Sequence, residues 1–135
     1  MGVAPAEGSP MLPSFLLTER QVHDSGFTPS LDLGTTISEP IEIILGITHA
    51  KEQQSLDLTV WGSEDGQSWG DHPLLVFPQK YYCGTYQMAL HPGRRVRFLQ
   101  ARWTVSRWGY GSKLPVFEFY IMARDLQARS MARTA

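Results

Sequence analysis

Few side chains in this sequence have the types and spacing that catalysis or metal binding requires. Cys83 is the only cysteine among the 135 residues, and a catalytic thiol would need a base that the neighbouring sequence does not supply. We therefore expect Cys83 to be a small buried apolar residue. The four histidines are 26, 23 and 19 residues apart, so no two of them form a short metal-ligand motif. This pattern predicts no metal ion and no cofactor.

The carboxylates are also dispersed along the chain. General acid–base catalysis needs titratable groups that converge on one point, and Asp71-His72 is the one adjacent carboxylate–imidazole pair. It lies beside a proline in a predicted loop, where such neighbours are commonly plain surface residues. The sequence contains no phosphate-binding loop and no dinucleotide fingerprint. We therefore predict that the protein is not an enzyme.

Aromatic and arginine side chains offer a different chemistry, the binding of carbohydrate. Sugars present C–H surfaces that pack on aromatic rings and hydroxyl groups that bond to planar polar side chains. Suitable residues occur in two predicted loop segments, and loops commonly carry binding sites. The candidate ligand-binding residues are Tyr81, Tyr82, Arg107, Trp108 and Tyr110. The alternative interpretation is that Trp108 closes one end of the fold and Arg107 stacks on it.

Five arginines fall within the fourteen residues 94–107, with Trp103 and Trp108 alongside and no carboxylate. Such a strip can hold a single-stranded nucleic acid, but the sequence pI of about 6.4 is well below the basic range typical of nucleic-acid-binding domains. We expect the strip to face acidic strands or a protein partner rather than nucleic acid. The candidate interface residues are Arg94, Arg95, Arg97 and Arg102.

The net charge of −1 conceals an uneven distribution along the chain. Residues 1–90 contain three basic and eleven acidic side chains, and residues 91–135 contain nine basic and two acidic ones, so the two parts carry −8 and +7. One interpretation is that early and late strands lie side by side and compensate each other within a sheet. The other is that each molecule has an acidic and a basic surface, which favours contacts between copies.

The elements that position these residues are predicted from a period of two. Apolar residues alternate through 41–48 and 55–60, β-branched residues are frequent there, and neither run has helical spacing. Nine prolines and twelve glycines divide the rest of the chain into short segments. The pattern predicts an all-β, antiparallel β-sandwich of the jelly-roll type with about eight strands. The predicted strands span 14–23, 27–33, 41–48, 55–60, 74–77, 84–90, 95–108 and 116–123.

Two of these strands carry a further prediction. In 95–108 the alternating apolar residues change from even-numbered to odd-numbered positions near Phe98-Leu99. Such a shift by one residue is typical of a β-bulge. The last strand is apolar on both phases apart from Glu118, so we expect it to be central and covered on both faces.

One segment resembles a known family. Ser55–Phe77 is similar to the strand–loop–strand of galactose-binding-like and discoidin-type jelly rolls, where an apolar strand ends in a G-S-x-D-G-x-x-W loop. Leu31–Gly34 resembles their D-L-G turn, and Arg97–Val105 resembles their Y-(L/V)-R strand. Similar loops occur in phage tail and virion proteins, so the resemblance implies a fold rather than a ligand. The single cysteine excludes the disulfide of membrane-binding discoidin domains, and no calcium-binding acidic cluster is recognisable.

These features predict one domain with two appendages: an N-terminal arm (1–13), a β-sandwich (14–123) and a C-terminal tail (124–135). No secretory signal or membrane-spanning run is recognisable, so we expect cytoplasmic synthesis without membrane insertion. The leading functional hypothesis is a non-catalytic module for protein recognition or self-assembly, as a homo-oligomer or a subunit of a virion-like particle. The alternative is a carbohydrate-binding module that uses the aromatic and arginine residues.

Overall fold

The computed structural model describes residues 10–108 and 115–126, and most of this part of the chain is β-strand. The strands pair into two sheets, one in the order β1-β9-β4-β7 and the other in the order β2-β8-β5-β6, with β3 also paired to β8. All of these pairings are antiparallel. The predicted all-β sandwich is thus confirmed. The nine strands in the described ranges are β1 (Ser14–Val22), β2 (Gly26–Phe27), β3 (Leu31–Ile37), β4 (Ile41–Ala50), β5 (Gln54–Ser63), β6 (Leu75–Val76), β7 (Gly84–Leu90), β8 (Val96–Arg107) and β9 (Phe117–Arg124).

The core lies between the two sheets, as a two-residue period requires. β4 contributes the odd-numbered side chains of Ile41–Ile47, and β9 those of Phe117–Ala123. The even-numbered side chains of Leu56–Val60 on β5 meet them from the other sheet. Burial of each large apolar side chain stabilises the fold by about 1.5–3 kcal/mol. The most regular alternation in the sequence therefore marks the centre of the molecule.

The predicted strand 27–33 is wrong in its extent, because the structure divides it into β2 and β3. Pro29 lies between them and has no N–H to donate to a ladder. Thr28, between β2 and β3, is still hydrogen-bonded to β8. Its backbone N–H donates to the Ala101 carbonyl, and its Oγ accepts the Ala101 N–H at 3.0 Å.

The slip predicted within β8 is visible in its burial. The buried positions of β8 change from even-numbered to odd-numbered between Val96 and Leu99. Arg97 and Phe98, which lie between them, are both half-buried. The register with β5 is nevertheless unbroken from Phe98 to Arg107. The register shift lies in the pairing with β3, between Asp32 and Ile37, so the irregularity is on the partner strand rather than a bulge at Phe98-Leu99.

β9 is central, as predicted, since it lies between β1 and β4. Its second face is only half-buried, so the prediction that both faces are covered is wrong. No second layer covers this face among the described strands; Tyr120 instead lies against its own sheet over Gly46, where an added Cβ would meet the ring at 2.2 Å. Phe15 then packs edge-on against Tyr120, with ring centroids 6.1 Å apart.

Three residues next to the predicted domain boundaries contact the sandwich or belong to it. Met11 and Leu12, placed in the arm, contact the sandwich: the Met11 N–H donates to the Leu33 carbonyl at 2.9 Å, and Leu12 packs against the core. Arg124, placed in the tail, belongs to β9. No helix within 10–108 or 115–126 has the length and hydropathy to cross a membrane.

The uneven charge is compensated in part by ion pairs within the molecule. Each of the three ion pairs among the described residues joins an acidic residue of the first part to a basic residue of the second. This agrees with the first interpretation of the charge distribution, and contacts between copies stay a prediction. The pairs are Glu64–Arg95, Asp32–Arg97 and Glu42–Arg124.

Candidate functional site

Three of the predicted ligand-binding residues meet at one end of the sandwich. Tyr81 and Tyr82 lie in the segment that crosses from β6 in one sheet to β7 in the other, and Trp108 directly follows β8. The Tyr81 ring is 6.2 Å from the Trp108 ring at an interplanar angle of 81°, and 6.2 Å from the Tyr82 ring at 55°. Tyr81 is 41% exposed, Tyr82 is 77% exposed and Trp108 is 52% exposed. They form a cluster, here called the aromatic end, that is open to solvent.

The aromatic end borders a cleft of about 530 Å³. Its lining also includes the polar residues Lys51, Glu52 and Gln53 of the turn between β4 and β5, here called the polar wall. The Gln53 backbone is left-handed, with φ of 59°, and its carbonyl accepts the Trp108 N–H at 2.8 Å. The cleft thus has an aromatic wall and a polar wall, which a backbone hydrogen bond holds together.

Hydrogen bonds fix the position of Tyr81. Its hydroxyl donates to Oε1 of Gln79, whose Nε2 donates to Oδ2 of Asp57 at 2.9 Å. Next to it, Lys80 and Leu56 exchange two backbone hydrogen bonds of 2.9 and 3.0 Å. These contacts orient an exposed ring before any ligand binds, which reduces the entropy lost on binding.

Three predictions at this end have different outcomes. Cys83 lines the cleft and is exposed, so the prediction that it is buried is wrong; the residue lies on the crossing segment and not on a strand face. Arg107 ends β8 opposite Gln54 and is half-buried. Tyr110 lies outside the described residues.

The four predicted interface arginines all have partners within the chain. Arg94 donates to the Gly62 carbonyl at 2.8 Å, and Arg95 pairs with Glu64 at 3.6 Å. Arg97 makes two bonds to Asp32, at 2.9 and 3.2 Å, which lower the pKa of Asp32. Arg102 stacks on Trp61 at 4.1 Å. Their use in an intermolecular interface stays a prediction.

The loop 62–70, which carries the family resemblance, is organised by its own side chains. Ser63 Oγ accepts the N–H of Gly66 at 2.8 Å and donates to Asp65 Oδ1 at 2.9 Å. Asp65 Oδ1 also accepts the N–H groups of Gln67 and Ser68, at 2.8 and 2.9 Å. The Ser68 and Gln67 bonds, with a smaller contribution from Ser63, lower the pKa of Asp65 to about 2. The loop motif is therefore structural in this chain.

The Asp65 carboxylate is expected to make part of the stability pH-dependent. Its pKa is lower in the folded state, at about 2, than in the unfolded state, so its contribution is complete above about pH 4 and is lost as the pH falls towards 2. Asp65→Asn removes this titration. Urea denaturation of both proteins between pH 6 and pH 2 should show a steeper loss for the unsubstituted protein.

Asp32 is intact in both proteins, so its own lowered pKa cancels in the comparison. Parallel stability curves for Asp65→Asn and the unsubstituted protein would contradict the role given to Asp65.

Sequence reasoning missed the polar wall of the cleft. Lys51–Gln53 has no signature beyond being a polar turn between two regular strands. Only the pairing of β5 with β8, which places Gln54 opposite Arg107, brings this turn beside Trp108. Within the described ranges, no three His, Cys, Asp or Glu side chains converge as metal ligands would.

Comparison with known proteins adds no relative. The chain matches no family model, and neither the curated proteins nor the solved structures give a significant match. The resemblance to galactose-binding-like domains stays a prediction.

Proposed function

We propose that this chain is a non-catalytic recognition module and that the cleft at the aromatic end binds carbohydrate. The observation that carries the proposal is the convergence of Tyr81, Tyr82 and Trp108, which lie up to 27 residues apart in sequence, around one open cleft. Exposed apolar side chains that form one contiguous patch, unlike single scattered ones, commonly mark a binding groove or an interface.

The chemistry of the two walls suits a sugar. Ring faces carry the negative part of the aromatic quadrupole and attract the weakly positive C–H groups of a sugar. Gln53 offers an amide donor and acceptor, Lys51 a donor and Glu52 an acceptor, which together match the mixed character of hydroxyl groups. A site of this kind is an aromatic platform with a few oriented polar groups, as in small-ligand clefts generally.

A glycan array followed by calorimetric titration of the best ligand tests the proposal. Trp108→Ala should weaken binding at least tenfold, equivalent to about 1.4 kcal/mol, because it removes an exposed ring that borders the cleft. Phe27→Ala is the matched control, since Phe27 is also an exposed aromatic residue (68%) but lies on β2, outside the cleft lining. Its affinity should be unchanged.

Two results would remove the carbohydrate proposal. One is an array on which no glycan binds. The other is a bound glycan whose affinity is the same in Trp108→Ala and in the unsubstituted protein.

Self-assembly is the second candidate function, with protein partners of the same or another kind and a virion-like particle as one setting. The uneven charge along the chain supports it in part, although three acidic residues of the first part already pair with arginines of the second part. A different observation favours it: β7 is an uncharged strand whose outer edge pairs with no other strand of the described ranges.

We also infer a jelly-roll topology. With β2 and β3 counted as one interrupted strand, the sheet orders β1-β9-β4-β7 and β2-β8-β5-β6 are those of eight strands wound as two Greek keys. Chains with this fold include sugar binders, adaptors and capsid subunits, so the topology is compatible with both candidate functions.

A further inference from the structure

Each sheet has two edges, and three of the four described edges are protected against pairing with another strand. β1 has two register shifts against β9 and exposes Glu19 and Arg20. The β2–β3 edge is interrupted at Pro29 and carries Asp32. β6 has only two residues. Short, bulged, charged or proline-containing edges are the usual defences against strand addition.

The edge formed by β7 has none of these defences. Its sequence, Gly84–Leu90 (GTYQMAL), contains neither a charge nor a proline. It pairs with β4 through seven consecutive residues without a register shift. In an antiparallel edge strand, alternate N–H and C=O groups point away from the sheet. β7 therefore presents a straight, uncharged row of backbone donors and acceptors.

We propose that β7 pairs antiparallel with β7 of a second copy of this chain about a two-fold axis at Gln87. The two four-stranded sheets then become one continuous sheet of eight strands. The inference gives a specific interface to the self-assembly candidate and does not depend on carbohydrate binding.

The strand is self-complementary in this register. Gln87 lies opposite Gln87 of the second copy, Tyr86 opposite Met88, and Thr85 opposite Ala89, so the two strands bring no like charges together. Lys80, outside the strand, places its Nζ 4.1 Å from the centroid of the Tyr86 ring. Tyr86 and Met88 pair with Leu45 and Ile43 of β4 and are only partly buried against the core. The second copy covers them and adds two sulfur–aromatic contacts.

A second copy fits this edge better than an unrelated strand does. In an isologous contact both copies use the same surface. An uncharged edge suits an uncharged partner strand, and β7 of a second copy is such a strand. A charged partner peptide would find no charged residue of β7 to pair with.

Sedimentation equilibrium of the full chain tests the proposal. The unsubstituted protein should have twice the chain mass, and Gln87→Lys should have the mass of one chain, because two ammonium groups would face each other. Gln87→Glu should also be monomeric, and an equimolar mixture of the two variants should recover the dimer. Gln21→Lys, on the exposed edge strand β1, is the matched control and should remain dimeric.

A cross-linking experiment tests the register and does not require charged variants to fold. In a Cys83→Ser background, Gln87→Cys should form a disulfide-linked dimer with diamide, since directly opposed Cα atoms are about 4.5–5.5 Å apart. Thr85→Cys should not cross-link, because it faces residue 89.

A monomeric unsubstituted protein would overturn the proposal together with the self-assembly candidate. A dimer that persists in Gln87→Lys, or that cross-links through Thr85→Cys and not through Gln87→Cys, would remove this interface and leave self-assembly by another surface standing.

Discussion

Replacement of Arg124 by alanine is expected to lower the free energy of unfolding by about 3 kcal/mol. Glu42 lies directly opposite Arg124 in the β4–β9 pairing, and its side chain is 2% exposed. The Arg124 Nε is 2.6 Å from the Glu42 carboxylate. Removal of the guanidinium would take a short charge-assisted hydrogen bond away from a buried carboxylate. The value is at the lower end for a buried pair, since the Arg124 side chain remains 34% exposed.

Arg95→Ala is the matched control for this prediction. It removes the same side chain from an ion pair whose members are 72% and 58% exposed, at 3.6 Å. Pairs of that kind contribute about 1 kcal/mol or less. Urea denaturation monitored by tryptophan fluorescence measures both variants. An equal effect of the two substitutions would show that burial of Glu42 does not determine the strength of the pair.

A double substitution separates charge from packing. In Glu42→Leu/Arg124→Met neither charge of the pair is left, so the loss of stability should be smaller than in Arg124→Ala alone. A larger loss in the double variant would mean that the pair is needed for more than mutual neutralisation.

The pair also shows where sequence reasoning reaches its limit. A period of two identifies the inward face of β4 and places Glu42 on the opposite face, but it does not show that this residue is buried. The residue is buried because β7 and β9 flank it on both sides, which depends on strand order rather than on the pattern of one strand. The sequence also gives no sign that Arg124 belongs to the last strand, since its partner is 82 residues away along the chain.

The fold itself was largely predictable because local signals agreed with the global arrangement. β4, β5 and β7 lie where alternation, bounded by turn residues, placed them. The prediction failed where a backbone constraint competed with alternation, as at Pro29. Burial of Cys83 was predicted from the usual behaviour of its residue type, which says nothing about a segment that crosses between sheets.

The aromatic end was predictable in its members but not in their assembly. Residue type identified Tyr81, Tyr82 and Trp108 as candidates. Their contact depends on β5, because Leu56 pairs with Lys80 on one side and with Val105 on the other. No local pattern specifies a register of that kind. For the same reason the polar turn at Lys51–Gln53 was not recognised as part of a cleft.

The second substitution with a large expected effect is at Gln54, next to that cleft. Gln54→Leu should lower the free energy of unfolding by about 4 kcal/mol. Gln54 is 1% exposed, and it bonds both backbone groups of Val116, just before β9. Its Oε1 accepts the Val116 N–H at 2.9 Å, and its Nε2 donates to the Val116 carbonyl. Val116 is itself 8% exposed. Leucine has a similar volume but no polar atoms, so a buried donor and a buried acceptor would each lose a partner.

Gln79→Leu is the matched control, because Gln79 also makes two side-chain hydrogen bonds but is exposed. Water can replace both partners there, so the loss should stay below about 1 kcal/mol.

Gln54→Glu should be at least as destabilising as Gln54→Leu near neutral pH, since an ionised carboxylate would face the Val116 carbonyl. Protonation restores a donor, and burial raises the pKa of the introduced carboxyl above its unfolded value, so this variant should gain relative stability as the pH falls. If chemical denaturation at pH 7 and pH 4.5 shows no such gain, the Val116 carbonyl is not held by a donor from position 54.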